Sequence, residues 1–437
     1  MKHDDERRGG DVEKKGVPPG DMDAVVYGAV FSPGKSDRER ARKTIRESAR
    51  KQDICLASTH GLYTAAGNGL YVSKTVPAIN IRGITYQVAR AVFRAALKHK
   101  VGAFIFEIAR SEIGYTDQSP AEYASCVLAA AVREGFSGPV FLQGDHFQFS
   151  SGKYASDSQA ELKAVSDLIK GAVFAGFLNI DVDASTLVDL ERETLEEQQE
   201  INCRVTGDMT RLIRGIEPGG VTISVGGEIG EVGGRNSTVG DLRAFMSGYL
   251  RHLGSETSGI SKISVQTGTK HGGVVLPDGS MAEVEIDFEA LREISRVARD
   301  EYGLAGAVQH GASTLPDEAF EMFPDAGTAE VHLATGFQNL IYDGGFFPND
   351  LLERIYEEIR RRYADEKKPG DTDEQFLYST RKKGFGLFKE EMWNIPEDRL
   401  AGMRQILEER FSLLFRKLNV VDTVDLVNLF TVDRTSP

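Results

Sequence analysis

Of the eight histidines in the chain, three end short apolar runs: His146 in QGDHFQ, His271 in GTKHGG and His310 in VQHGAS. Neutral imidazoles delivered by separate strands make an open three-ligand site for a divalent metal of zinc's preferences, and they leave coordination positions to substrate oxygens. One histidine at a strand end is commonly a hydrogen-bonded structural residue, whereas three at equivalent positions point to a metal. His271 and His310 are 310 − 271 = 39 residues apart, about one strand-plus-helix unit, so neighbouring strands would carry them. Glycine follows each of them, and a backbone without a Cβ lets an N–H approach a ligand oxygen closely. The segment GASTLP after His310 reads as an anion cradle, two small residues and a hydroxyl leading to a helix start whose dipole favours phosphate.

Positioning such residues requires a parallel sheet whose strand C-termini share one face. Eight apolar, β-rich runs supply it: 76–81, 101–109, 139–145, 177–184, 221–228, 262–268, 306–310 and 329–335. Amphipathic stretches at 85–99, 120–134, 156–174, 185–214, 239–253, 287–301 and 317–323 alternate with them as helices. Eight such repeats predict an α/β fold, a closed (β/α)₈ TIM barrel over residues 76–364. Residues 1–23 read as a solvated, disordered leader and 24–75 as a cap segment over one barrel end. Residues 365–437 read as a linker with a helical C-terminal extension, whose run LAGMRQILEERFSLLFRKL has the apolar spacing to pack on the barrel or on a partner subunit.

The 437 residues are enough to bury a large core without staples. Cys55, Cys126 and Cys203 stand far apart with no CxxC pair, which excludes a disulfide framework and suits a reducing cytoplasm. A formal charge of 52 − 66 = −14 argues against a nucleic-acid binder, which needs a net basic face. No run reaches the length of a membrane span, and the N-terminus has no apolar signal core. The partner expected is therefore a small molecule, with no nucleic acid and no membrane.

The succession AIN (78–80), GDH (144–146), IDVDAS (180–185), GEIGEVGG (227–234), GTKHGG (268–273) and HGAS (310–313) resembles the class II fructose-bisphosphate aldolases. GYTDQSPAEY (114–123) is more weakly similar to the tagatose-bisphosphate aldolase subunit family. The resemblance implies one catalytic zinc on His146, His271 and His310, with a second or monovalent ion compatible with the pattern. It makes Asp145 the acid/base at the aldehyde oxygen. Asp183 and Glu228 match carboxylates that orient the ligands or hold the metal in a second position. Gly272, Gly311, Ser313 and Thr335 match the positions that cradle a phosphate. The implied chemistry is reversible aldol cleavage of a ketose phosphate between C3 and C4, with fructose 1,6-bisphosphate as the family's usual substrate and a glycolytic, homo-oligomeric enzyme as its usual setting.

The chain also departs from that pattern. Gln143 stands where HxDH begins with histidine, Arg235 and Asn236 stand where a loop carboxylate is usual, and Glu231 is the nearest replacement. The KxNxDT of the last strand reads Glu330, Val331, His332, Leu333, Ala334, Thr335, so His332 takes the asparagine's place as a donor to substrate or as a structural residue. Ala109, beside Glu107 and Arg110, replaces a serine. Arg381, Lys382 and Lys383 are candidates for a second phosphate, or else a solvated basic patch. Metal chemistry is retained while substrate recognition is altered, which leaves a non-catalytic or divergent subunit, and an epimerase or isomerase, as alternatives.

Overall fold

Strands 105–109 and 141–145 show how the sequence builds the barrel. Alternate residues of the first, Phe104, Phe106 and Ile108, point outward, where Phe104 and Phe106 pack on Phe93 with ring centroids 5.8 and 5.0 Å apart. The intervening Ile105, Glu107 and Ala109 face the axis: Ile105 packs with Ala78 and Phe141 at the base, Glu107 meets Gln143, and Ala109 opens on the mouth. This period of two is the strand signal, and here the inward face is apolar at the bottom and polar above.

The computed structural model describes residues 21–230, 235–268, 285–432 and 434–437. Its strands are β1 (Ile54–Ala57), β2 (Val76–Asn80), β3 (Ile105–Ala109), β4 (Gly138–Gln148), β5 (Asn179–Asp183), β6 (Ser224–Glu228), β7 (Lys262–Val265), β8 (Ala307–Gln309), β9 (Glu330–Leu333) and β10 (Arg434–Thr435). Strands β2 to β9 run parallel, each paired with the next, and β9 closes on β2 through Ala78 opposite His332. All eight predicted runs are barrel strands. β1 adds in parallel to the first residues of β4, and β10 pairs antiparallel with β1.

The helices follow local chemistry. In the helix Pro120–Glu134 the Ser119 side chain accepts from Glu122 N, proline occupies the first turn, and Gly135 ends it at φ 71°. Helices Thr85–His99 and Val239–Leu253 match their predicted spans. Two expectations need correction. The span 185–214 is a 3₁₀ turn at Ser185–Leu187 followed by a helix Leu195–Ile216, because Thr194 and Glu197 form a capping box that sets the start later. The span 317–323 is a 3₁₀ turn and a single α-turn, so GASTLP does not lead into a regular helix.

Helices Met22–Phe31 and Lys35–Lys51 lie on the outer face against the helix Pro120–Glu134, and Met22 and Asp23 belong to the first of them. Residues 1–20 of the expected leader lie outside the described residues. The C-terminal helix Glu397–Lys417 packs on the helix Thr85–His99, setting Phe411 4.8 Å from Phe337 and Phe415 5.9 Å from Phe104. Among the described residues no helix is long and apolar enough to cross a membrane.

Glu134 ties the two helices beside β3 by accepting from Arg90 Nε at 2.5 Å and from Arg94 Nε at 2.8 Å. Burial works against its charge, but the two arginines outweigh it and hold its carboxyl below the usual range. A depressed folded-state pKa contributes stability that is present above the unfolded value of about 4.3 and lost as pH falls through the folded value. Glu134→Gln is expected to cost about 1–2 kcal/mol at pH 7, with the part-exposed Arg94 limiting the effect. In denaturant titrations the gap to the parent protein should narrow steadily as pH is lowered below about 4.

Candidate active site

At the C-terminal end of β4 the chain departs from regular strand geometry. The pairing with β5 shifts register between Gly144 and Phe147, and His146 sits at φ 38°, in the left-handed region. A bulge with one residue at positive φ re-aims consecutive side chains, so Asp145 and His146 both serve the mouth instead of alternating. Gly144 is required there, because a Cβ would lie 2.4 Å from the ring of the fully buried Phe147.

His146 Nε2 lies 2.9 Å from His310 Nδ1, and Asp145 Oδ1 lies 3.8 and 3.9 Å from those two nitrogens. These three donors form a group able to hold a metal ion. Asp183 Oδ2 is 3.0 Å from His146 Nδ1 and accepts from Gln148 Nε2, while Asp183 Oδ1 accepts from the Ser185 N–H and hydroxyl. Burial opposes the Asp183 charge, yet these bonds hold its carboxyl below the usual range. A carboxylate on one ring nitrogen of histidine fixes the tautomer and aims the other nitrogen at a metal. Glu228 accepts from Gly230 N at 2.6 Å and brings Oε2 to 3.6 Å from His310 and 3.9 Å from His146. Burial disfavours a charged His146, but Asp145, Asp183 and Glu228 outweigh it and raise its pKa well above the ordinary histidine value. The donor set thus favours positive charge at this point.

Beneath this group lies an ionic layer. Lys262, fully buried on β7, donates to Gln143 Oε1 at 2.8 Å, Asp181 Oδ2 at 3.0 Å and Glu330 Oε1 at 2.6 Å, so each ammonium proton has an acceptor. Gly226 opens the space for it, since a Cβ there would meet Asp181 Oδ1 at 2.3 Å and Lys262 Cε at 3.0 Å. Gln143 in turn donates to Glu107 Oε2 and Glu330 Oε1, a bridge of acceptor and paired donors that a histidine does not offer. The cation of the last strand's usual lysine is absent, Glu330 stands in its place, and Lys262 provides the charge from across the barrel. His332 lies between the layers, with Nδ1 3.1 Å from Asp145 Oδ1 and 3.2 Å from Glu107 Oε2, and Nε2 2.6 Å from Glu330 Oε1. Tyr63 reaches Glu330 from below.

Above these groups opens a cavity of about 570 Å³. One wall carries Gly311, Ser313 and Thr335. Ser313 Oγ accepts from Gly336 N at the start of the helix Thr335–Asp343, and Thr335 Oγ1 accepts from Arg82 Nη1. Arg82 is also held by Glu112 at 2.7 Å and Gln338 at 2.9 Å. Lys382 adds a cation here, its ammonium pKa lowered by burial and by Arg82. The opposite side holds Lys153 and Arg110, the latter clamped on Glu161.

The structure therefore brings Asp145, His146, His310, Asp183, Glu228 and His332 together, with Gly311, Ser313 and Thr335 on the adjoining wall. His271, Gly272 and Glu231 lie outside the described residues. Arg235 pairs with Asp241 at the start of the helix Val239–Leu253. Of the three basic tail residues only Lys382 lines the cavity: Arg381 is spent on Asp343 and Asn339, and Lys383 on Glu366. Sequence reading missed Lys262, Asp181 and Arg82. A lysine and an aspartate inside otherwise apolar strands, and an arginine just past a strand end, were the available signals.

The family model described as fructose-bisphosphate aldolase class-II matches residues 58–383. No curated protein matches the chain. Among solved structures, a fructose-bisphosphate aldolase of Campylobacter jejuni is 19% identical, covering 84% of this chain and 96% of its own, with a TM-score of 0.51. A probable tagatose 6-phosphate kinase of Sinorhizobium meliloti is 17% identical over 81% and 99%, with a TM-score of 0.55. A fructuronate-tagaturonate epimerase of Cohnella laeviribosi is 11% identical over 80% and 82%, also at 0.55. At these identities the likeness is one of fold.

Removing the carboxylate behind His146 tests the metal reading of the site. Asp183→Ala is expected to weaken zinc binding about 10–100-fold in isothermal titration, and a proton released on binding should show as a dependence of the measured heat on buffer ionisation. Unchanged affinity would mean that His146 is not held for a metal.

Proposed function

The chain belongs to the class-II fructose-bisphosphate aldolase family, and from that premise we propose a divalent-metal-dependent carbon–carbon lyase acting on a ketose phosphate. The observation that carries this reading is the approach of His146 Nε2 to His310 Nδ1 at 2.9 Å, with the buried Asp145 beside both. His271, which follows β7 in the sequence, is the third proposed ligand, Asp183 orients His146, and Glu228 balances the cation. A bound divalent ion, zinc by family habit, supplies the Lewis acidity that stabilises the negative charge left on the ketone fragment.

The protein's own groups do the rest. Asp145 takes the proton from the C4 hydroxyl as the C3–C4 bond breaks. The bonding electron pair stays with the ketone half, and the other half leaves as an aldehyde. In the reverse direction Asp145 returns the proton. Asn80 Nδ2, 3.3 Å from Asp145 Oδ2, helps to orient the carboxylate. Gly311, Ser313 and Thr335, with Gly272 by family position, hold the ketone half's phosphate, and Arg82 supplies its charge. Lys153 and Arg110 across the cavity suit an anionic group on the other half. Fructose 1,6-bisphosphate is the first substrate to try, and the changed last strand directs the search to other ketose phosphates as well.

The test is turnover of metal-loaded and chelator-stripped protein on a ketose-phosphate panel, with the products identified. Three-carbon fragments are expected, lost on stripping and restored by zinc. Isomerised six-carbon product without fragments would replace cleavage by epimerisation, and turnover that survives chelation would end the metal reading. Asp145→Asn is expected to lower kcat about 10²–10⁴-fold. Arg82→Met should act mainly on KM, raising it about 10–100-fold through loss of one charged hydrogen bond to phosphate.

A further inference from the structure

One of the chain's departures from its family pattern, His332, meets a buried glutamate. Glu107 comes from β3 and His332 from β9, and both close on Asp145: His332 Nδ1 lies 3.2 Å from Glu107 Oε2 and 3.1 Å from Asp145 Oδ1. Glu107, Asp145 and His332 are all buried and form a second metal-capable group, which shares Asp145 with the group of Asp145, His146 and His310. Donors about 3.0–3.4 Å apart are spaced for bonds of about 2.1 Å to a common zinc-sized ion, and one imidazole with two carboxylates suits such a cation.

Three further observations point to a ligand here. His332 Nε2 is 2.6 Å from Glu330 Oε1, and a carboxylate that holds a proton on that nitrogen lets Nδ1, which faces Glu107 and Asp145, serve a cation. Glu107 Oε1 is buried with no hydrogen-bond partner, although Glu107 lines the cavity and is wholly inaccessible to solvent. Asn80 Oδ1, on the side chain that donates to Asp145, is a second buried acceptor left in the same state. The layer holds the carboxylates of Glu107, Asp145, Asp181 and Glu330 against Lys262 and the imidazole of His332, and buried carboxylates in that excess call for positive charge.

We propose that Glu107, Asp145 and His332 bind a second divalent cation, with Asp145 shared between it and the catalytic ion to make a two-metal centre. The catalytic ion is that of the proposed function, on which the two-metal arrangement rests, whereas the second site itself stands on residues that reading does not use as ligands. In such a centre Asp145 Oδ1, which faces His332 as well as His146 and His310, would serve both ions, and Oδ2, beside Asn80, would stay available for the substrate hydroxyl.

Metal content decides it. Stripped full-length protein is reloaded with zinc, freed of excess by gel filtration and analysed by elemental mass spectrometry, with circular dichroism to confirm folding. The parent protein is expected to hold two ions per chain. Glu107→Gln and His332→Asn, two variants so that one misfolding does not decide the matter, should each hold one, and His146→Ala should also hold one. A single ion in the parent that survives both Glu107→Gln and His332→Asn but is lost in His146→Ala overturns the second site and leaves the catalytic reading intact. A single ion lost in Glu107→Gln and kept in His146→Ala supports the new site and defeats the catalytic one. Manganese loading gives an independent readout: a shared carboxylate should produce a spin-coupled pair in electron paramagnetic resonance, absent in Glu107→Gln.

Discussion

Everything at the mouth of this barrel depends on how the charge of its interior is balanced. Most of a barrel axis is filled by apolar side chains, but here the upper layers carry the buried carboxylates of Glu107, Asp145, Asp181, Glu330, Asp183 and Glu228. Bringing those carboxylates together costs several kcal/mol per charge unless each finds a cation or donors. Lys262 is the fixed part of the solution. Its three protons and the absence of a Cβ at Gly226 set where Asp181, Gln143 and Glu330 stand. Glu330 then sets His332, and His332 sets Asp145. The position of the proposed acid/base is thus inherited from a lysine in the layer beneath it.

The two halves of the site follow different rules. On the metal side geometry is over-determined: a bulge turns Asp145 and His146 the same way, Asp183 locks the ring of His146, and Glu228 is pinned by Gly230 N. On the substrate side the anchoring groups are shared with the scaffold, since Thr335, Glu112 and Gln338 all hold Arg82. A phosphate arriving there competes with Thr335 for one guanidinium nitrogen and leaves the rest of the clamp in place. That division agrees with the proposed reading, in which the metal ligands are kept while Gln143, Ala109, His332 and Ala334 change around them.

The sequence made the barrel legible because strand and helix periods are strong and repeated. All eight runs became strands, the helices Thr85–His99, Pro120–Glu134 and Val239–Leu253 keep their expected spans, and the last two carry side-chain N-caps. The short β1 and β10 were missed, since a four-residue and a two-residue strand have no period to read. The donors His146, His310 and Asp145 were legible as polar residues ending apolar runs. Lys262 and Asp181 were not, because their meaning lies in pairing across the barrel, at separations of 81 and 68 residues for Lys262 with Asp181 and Glu330. The departure at Gln143 looked like a simple loss in sequence. In the structure it is the bridge that lets Glu107 and Glu330 coexist.

The central claim is that this barrel uses a divalent cation to stabilise negative charge on the ketone half of a ketose phosphate. Hydrogen exchange isolates that step from the identity of the aldehyde. Dihydroxyacetone phosphate in deuterium oxide, followed by proton NMR, should lose one hydroxymethylene hydrogen stereospecifically with zinc-loaded protein and lose none above the solvent rate with stripped protein. Equal exchange in both samples, or no exchange with the loaded protein at full metal occupancy, would contradict the claim.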